Sequence, residues 1–332
     1  MQTIIAFFTA FVVTFLVAPL FKKMAFSFHI LDVPDQERKV HKGAIPLLGG
    51  LAIYLGVLSG FYFNPQSFKS VLPVLFGGTV ILYMGAFDDI KGLSARMRMY
   101  IQLLVAAAVV ALGVRISFLP DTLWGNIAEF LVTVFWIVGV TNAFNYLDGL
   151  DGLAAGSAVL NFVFFGAILY TTGQFKVGLA AIIIAGACFG FLPHNFFEKN
   201  KIFLGDAGST FLGFTLAGIA VMGNWAADNV AKLFIPILIL GVPIFDMIFT
   251  TIMRIKEQKI KNIVEWLKYG GKDHFHHYLV DLGLHPRAAV LFIYYLTFSL
   301  GLGALNVSND SAFEAFLTLV QISIIFANLQ QK

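Results

Sequence analysis

The chain has 332 residues, 58% of them hydrophobic and 12% charged, against about 25% charged in a typical soluble domain. A mean hydropathy of +0.83 means that much of the chain faces something other than water, and the apolar runs are too long and too numerous for one buried core. The net charge of +3 is too small to point to nucleic acid, and a single cysteine, Cys188, excludes an internal disulfide.

In chain order, the apolar segments predict spans over 3–20, 44–62, 70–87, 97–113, 125–143, 152–171, 177–192, 208–223, 230–250, 288–305 and 311–327. The first run ends in Phe21-Lys22-Lys23 without a small-residue cleavage site, so it reads as a retained span. Backbone exposed to lipid must satisfy its own hydrogen bonds, which makes all of these helices. The expected fold is an all-α, polytopic transmembrane bundle of about eleven helices, forming one integral membrane domain over 1–332. With the N-terminus outside and the C-terminus cytoplasmic, 18 of the 22 lysines and arginines fall on the inner side, as the positive-inside rule requires. The outer loops are short. The inner ones are rich in acids, amides, histidines and glycines, so the chemistry is expected at the cytoplasmic face.

The first inner loop, Asp32 to Pro46, carries Arg38, Lys39, His41 and Lys42 and runs into Gly49-Gly50. Its cations suit a nucleotide's phosphates and equally suit a topology signal. The second opens with adjacent carboxylates, Asp88 and Asp89, a repelling pair that calls for a counter-cation. In the third, Asn142, Asn145 and Asp148 recur every third residue, which puts them on nearly one helix face. Asp151 follows, and each acid is succeeded by a glycine that permits a tight turn. An oxygen-rich cluster without a cation suits a hard metal such as magnesium. The fourth inner loop ends Phe203-Leu204-Gly205-Asp206-Ala207-Gly208-Ser209 and leads into an apolar helix. There Asp206 can cap the helix or hold a metal, and the helix start offers N–H groups to an anion. Asp246, inside the ninth span, is either functional or the partner of Arg254. In the last inner loop, His274, His276 and His277 lack the spacing of a helical zinc site and suit phosphate oxygens or the bracing of acids. Upstream, Ile260, Ile263, Val264 and Leu267 form an apolar stripe flanked by lysines, which fits a helix on the membrane surface or one packed on the protein.

Taken in order, these motifs resemble the polyprenyl-phosphate N-acetylhexosamine-1-phosphate transferase family, glycosyltransferase family 4, from Asp32 to His277. The resemblance implies that Asp88 and Asp89 are the acidic pair implicated in catalysis, joined by Asp148, Asp151, His274, His276 and His277. It implies Asp206 as the main magnesium ligand with Asn145 beside it, manganese being a substitute. It places Asn142, Asn195, Phe203 and the basic residues Arg38, Lys39, His41 and Lys42 with the substrates. The His-x-His-His pattern and the segment Ile45-Pro46-Leu47-Leu48-Gly49-Gly50 look like the branch that uses UDP-GlcNAc rather than the peptidoglycan branch. The implied reaction transfers GlcNAc 1-phosphate from UDP-GlcNAc to undecaprenyl phosphate and releases UMP, in a bacterial cytoplasmic membrane, to start a cell-envelope polysaccharide such as lipopolysaccharide or teichoic acid. A phospho-MurNAc-pentapeptide transferase is the alternative within the family, and a homodimer is compatible with either. From another class, a transporter with an acidic vestibule predicts charges near mid-membrane, whereas here the acids, Asp246 excepted, gather at span edges.

Overall fold

The computed structural model describes residues 2–33, 43–197, 201–226, 229–262, 265–266, 269, 271 and 273–308. Its helices are α1 (Gln2–Ser27), α2 (Gly49–Tyr62), α3 (Pro65–Ser70), α4 (Leu72–Lys91), α5 (Ala95–Ala111), α6 (Leu123–Tyr146), α7 (Leu153–Thr171), α8 (Phe175–Leu192), α9 (Gly205–Met222), α10 (Asn229–Ile239), α11 (Gly241–Lys256), α12 (Phe275–Asp281) and α13 (Pro286–Val307). Two short strands, β1 (Leu31–Asp32) and β2 (Ile45–Pro46), pair antiparallel. The basic loop between them, with Arg38, Lys39, His41 and Lys42, lies outside the described residues.

Among the described residues seven helices are long and apolar enough to cross a membrane, or eight if the bent pair α10–α11 is one span. This is the all-α membrane architecture that the apolar runs predict. The count differs from eleven for identifiable reasons. The runs at 44–62 and 97–113 form helices of only 14 and 17 residues. The run at 230–250 breaks at Leu240 with an 82° bend. Pro236 inside α10 and Pro243 at the start of α11 each lack the N–H that would continue the ladder. The run at 311–327 lies outside the described residues, as do Ile263, Val264 and Leu267 of the expected apolar stripe.

Helix α9 is the centre of the bundle. It is apolar nearly all round and buried from Ala207 to Ala220, as expected of a helix with neighbours on every side. It packs along α4 and α6, while α8 packs along α1 and α7. Helix α1 instead leaves Ile4, Phe8, Phe15, Leu16 and Leu20 exposed, an apolar face suited to lipid. Small residues let backbones approach where the lipid gives no hydrophobic drive. A Cβ on Gly85 of α4 would lie 2.5 Å from the Ala207 backbone of α9, and one on Gly213 would lie 2.9 Å from the Thr141 carbonyl of α6. At the opposite end of α6, the buried Glu129 accepts hydrogen bonds from the N–H groups of Phe118 and Leu119 at 2.7 and 2.8 Å and fixes the α5–α6 loop.

Gly85 thus sets the spacing of α4 and α9, the two helices that carry Asp88 and Asp206. Gly85→Val should lower the thermal unfolding midpoint in detergent, since overpacking against backbone costs about 1–3 kcal/mol or more. Gly139→Ala, which meets nothing within 4 Å, should leave the midpoint unchanged or raise it.

Candidate active site

Three helix ends meet at one end of the bundle: the C-termini of α4 and α6 and the N-terminus of α9. Helix α4 runs to Lys91 and closes on Gly92 at φ 68°, so Asp88 and Asp89 lie on its last turn. Their roles diverge at once. Asp89 accepts the backbone N–H groups of Asp206 and Ala207 at 2.9 and 3.1 Å. It therefore caps α9 from a neighbouring helix. The helix-start N–H groups of Asp206 and Ala207, which the sequence leaves open for an anion, are occupied by this carboxylate. Asp206 itself sits in the first turn of α9 and does not cap it.

Asp88 is buried and faces inward. Its Oδ1 accepts the N–H of Leu93 at 2.5 Å, and its Oδ2 lies 3.0 Å from Nη1 of Arg98. The same Nη1 is 3.4 Å from Oδ2 of Asp206. One guanidinium therefore bridges the carboxylates of two helices. Arg98 is on the first turn of α5, which begins at the Ser94 cap. Sequence reading counts it only as a topology charge. Its place ten residues after Asp88, one short loop away, is the signal that could have found it.

From α6, Asn145 donates to Asp206 Oδ1 at 2.9 Å and to the Ser209 hydroxyl at 2.8 Å, which holds the Asp206 carboxylate in one orientation. Asn142, one turn earlier, donates to Gln102 of α5 at 2.6 Å. A narrow cleft beside these groups is lined by Arg98, Met99, Gln102, Asn142, Asn145 and Tyr146. Helix α6 ends at Tyr146, so Asp148 lies in the turn beyond rather than on the helix face. Burial first, and then the charges of Asp206, Asp89 and Asp151, push its carboxyl up to about 8. Asp88, Asn145, Asp148 and Asp206 thus converge, as the spacing of the motifs requires.

The remaining predicted residues form a rim. Asp151 pairs with Lys201, whose ammonium lies 5.3 Å from the centre of the Phe203 ring. Asn195 is buried, accepts the Gly152 N–H at 2.6 Å and donates to the Ile202 carbonyl at 2.9 Å. It ties the turn after α6 to the strand-like approach to α9 and does not face open space. That approach is fixed by the Ile45–Gly50 segment: the Gly49 and Gly50 N–H groups donate to the Phe203 and Leu204 carbonyls, each at 3.0 Å. Gly50 lies so near Gly208 that a side chain there would overlap backbone. On the other side of the rim, His276 is 1% exposed, has no hydrogen-bond partner among the described residues and lies against Gly149. Burial and the adjacent His277 hold its pKa down to about 3. His277 is half-buried, its ring centre 4.2 Å from that of His276. His274 is buried between Asp246 and Arg254.

A family model for glycosyl transferase family 4 matches residues 71–224, which contain every acid of this cluster. A probable undecaprenyl-phosphate N-acetylglucosaminyl 1-phosphate transferase of Bacillus subtilis is 32% identical over 99% of this chain and 91% of its own length. The chain belongs to glycosyl transferase family 4. A decaprenyl-phosphate N-acetylglucosaminephosphotransferase of Mycobacterium leprae is 31% identical over 86% of this chain and 79% of its own. An undecaprenyl-phosphate alpha-N-acetylglucosaminyl 1-phosphate transferase of Yersinia pestis is 28% identical over 82% and 75%. In this family 4 glycosyl transferase the matched stretch runs from α4 through α9, the helices whose ends build the site.

The division of labour between the paired acids is testable. Asp89→Ala should lower the unfolding midpoint, because losing a helix cap costs about 0.5–2 kcal/mol. Asp89→Asn, which keeps one acceptor, should fall between it and the native chain. His276 gives a pH signature. The unfolded chain protonates this residue near its ordinary value of 6.5, the folded chain not until about 3. Its contribution to stability is therefore complete above 6.5 and erodes as the pH falls from there toward 3. The unfolding midpoint should drop less between pH 7 and 5 in His276→Asn than in the native chain.

Proposed function

We propose that this chain transfers GlcNAc 1-phosphate from UDP-GlcNAc to undecaprenyl phosphate, releasing UMP, at the cytoplasmic face of a bacterial inner membrane. The observation that carries this reading is the Arg98 guanidinium between Asp88 and Asp206. Carboxylates from two helices share one cation at the end of an apolar bundle, beside a cleft that reaches Asn142. Membrane-length helices supply a lipid-facing exterior for a prenyl tail. The relatives carry polyprenyl-phosphate N-acetylglucosaminyl phosphotransferase names. The excess of lysine and arginine in the loops at this end supports an N-terminus outside and a cytoplasmic site.

Magnesium fits these residues. The donors are hard oxygens, and the gap between Asp88 and Asp206 already takes one positive charge. Among the described residues no three acid, histidine or cysteine side chains form a metal cage. Magnesium characteristically takes one or two carboxylates and completes its shell with substrate phosphates and water. Asp206 would hold it, oriented by Asn145, and when bound it supplies charge neutralisation on the diphosphate.

The chain's own groups do the rest. An acceptor phosphate oxygen forms the new bond to the sugar-bearing phosphorus of the donor. The bond from that phosphorus to the bridging oxygen breaks, and its electron pair leaves on UMP. A phosphate monoester with a second pKa near ~6 is already largely dianionic at neutral pH, so a strong base is superfluous. Arg98 lies at the cleft mouth, where its guanidinium can hold the acceptor phosphate. Asp88, with both oxygens already accepting hydrogen bonds, orients Arg98 and is a poor nucleophile itself. This favours direct displacement, with positioning supplying most of the rate. Phe203 and the adjacent Lys201–Asp151 pair would receive the nucleotide in this reading.

Purified protein with labelled UDP-GlcNAc, undecaprenyl phosphate and magnesium should yield labelled lipid, and added UMP should reverse it. Chelation should stop the reaction. Asp206→Ala should lower the rate by about a hundredfold or more with the protein still inserted in membranes. Full activity in that variant would remove Asp206 from the site. UDP-MurNAc-pentapeptide should be a poor donor; preference for it would place the chain in the peptidoglycan branch. Without acceptor no UMP should be released, and release with labelled protein would establish a covalent path.

A further inference from the structure

The histidine loop is held by a four-residue network of Asp246, Arg254, Asp273 and His274. Asp246, 1% exposed in the second turn of α11, lies with Oδ2 3.0 Å from Nδ1 of His274. Its Oδ1 accepts the Phe275 N–H at 2.8 Å and the Thr250 hydroxyl at 3.2 Å. Two helix turns beyond Asp246, Arg254 is 2% exposed and grips Asp273 through Nε at 2.8 Å and Nη2 at 2.6 Å. The same Nη2 lies 3.2 Å from Nε2 of His274. The His274 ring stacks on Tyr146 of α6 at 5.1 Å between centres.

These contacts allow one protonation pattern. A guanidinium has only donors, so Nε2 of His274 must present its lone pair to Arg254. A neutral imidazole then carries its hydrogen on Nδ1, and the Asp246 carboxylate accepts it. An imidazolium would set an N–H against an N–H at the arginine. A proton on Asp246 would force the imidazole's own hydrogen onto Nε2, with the same clash. Both ring nitrogens and one ring face are thereby occupied, which leaves no nitrogen to hold a phosphate or take up a proton. The neighbouring His276 ring lies parallel to His274 at 6.1 Å and rests on Gly149, next to Asp148.

We propose that His274 is a positioning residue: Asp246 and Arg254 hold it as the neutral Nδ1–H tautomer, and in that state it seats His276 against the turn that bears Asp148. This sets His274 apart from His276, whose ring nitrogens have no partner among the described residues, and its activity test rests on the transferase reading above.

Two measurements on the full chain in lipid bilayers test it. With ¹⁵N-labelled histidine, the resonance lost in His274→Asn should show a protonated Nδ1 and a bare Nε2. An Nε2–H tautomer or an imidazolium at that resonance overturns the proposal whatever the activity. For lipid labelling, His274→Ala should lower kcat about tenfold or more. His274→Asn, whose amide N–H can replace Nδ1–H, should return to within about threefold of native with KM for UDP-GlcNAc unchanged. Asparagine no better than alanine, or a loss carried by KM, overturns it. If the alanine variant does not accumulate, Asp246→Asn serves instead. One amide oxygen cannot replace both carboxylate oxygens, so the His274 resonance should move off the Nδ1–H form; an unmoved resonance overturns the lock. If the native protein makes no lipid product, the transferase reading fails, and the spectroscopic arm still decides the tautomer.

Discussion

Like charge crowded at the end of an apolar bundle is the constraint from which the rest of this structure follows. Asp88, Asp89, Asp148 and Asp206 meet where three helices end, in surroundings poorer in water than a protein surface. Carboxylates in such a place repel one another and resist ionisation. The fold answers each of them differently. Asp89 is met by the N-terminus of α9, whose N–H groups and dipole favour an anion. Asp88 and Asp206 share Arg98. Asp148 has no cation of its own among the described residues and keeps its proton to a high pH. The cluster is thus held together while remaining short of positive charge, the condition under which a cation carrying phosphates is welcome.

Much of this was legible in the sequence. The apolar runs locate ten of the eleven expected helical stretches among the described residues, because a lipid-facing backbone has few alternatives to a helix. The motif spacing brings the acids to one end of the bundle. What the sequence does not disclose is which group faces which. Asp88 and Asp89 are neighbours in the chain with the same chemistry, yet the helical rotation of α4 turns one toward the arginine and the other toward a helix terminus. Arg98 is easily passed over as a site residue because the positive-inside rule already explains it. The bend between α10 and α11 hides inside one continuous apolar run, since hydropathy responds weakly to Pro236 and Pro243.

Asn195 and His274 share a lesson of a different kind. Both stand in motifs that the family resemblance assigns to substrate or catalysis, and both have their polar atoms taken up by the protein. A motif records that a residue is needed at a position, not whether it touches the ligand or holds the group that does. Only the partner list separates the two, and it cannot be read from spacing.

The meeting of Gly49 and Gly50 with the approach to α9 has a bearing on how this chain can vary. Both glycines abut main-chain atoms, which no change of rotamer can move aside. Whatever precedes β2, the exit from that strand is held to the same two residues. The register in which Asp206 is presented therefore depends on those two positions.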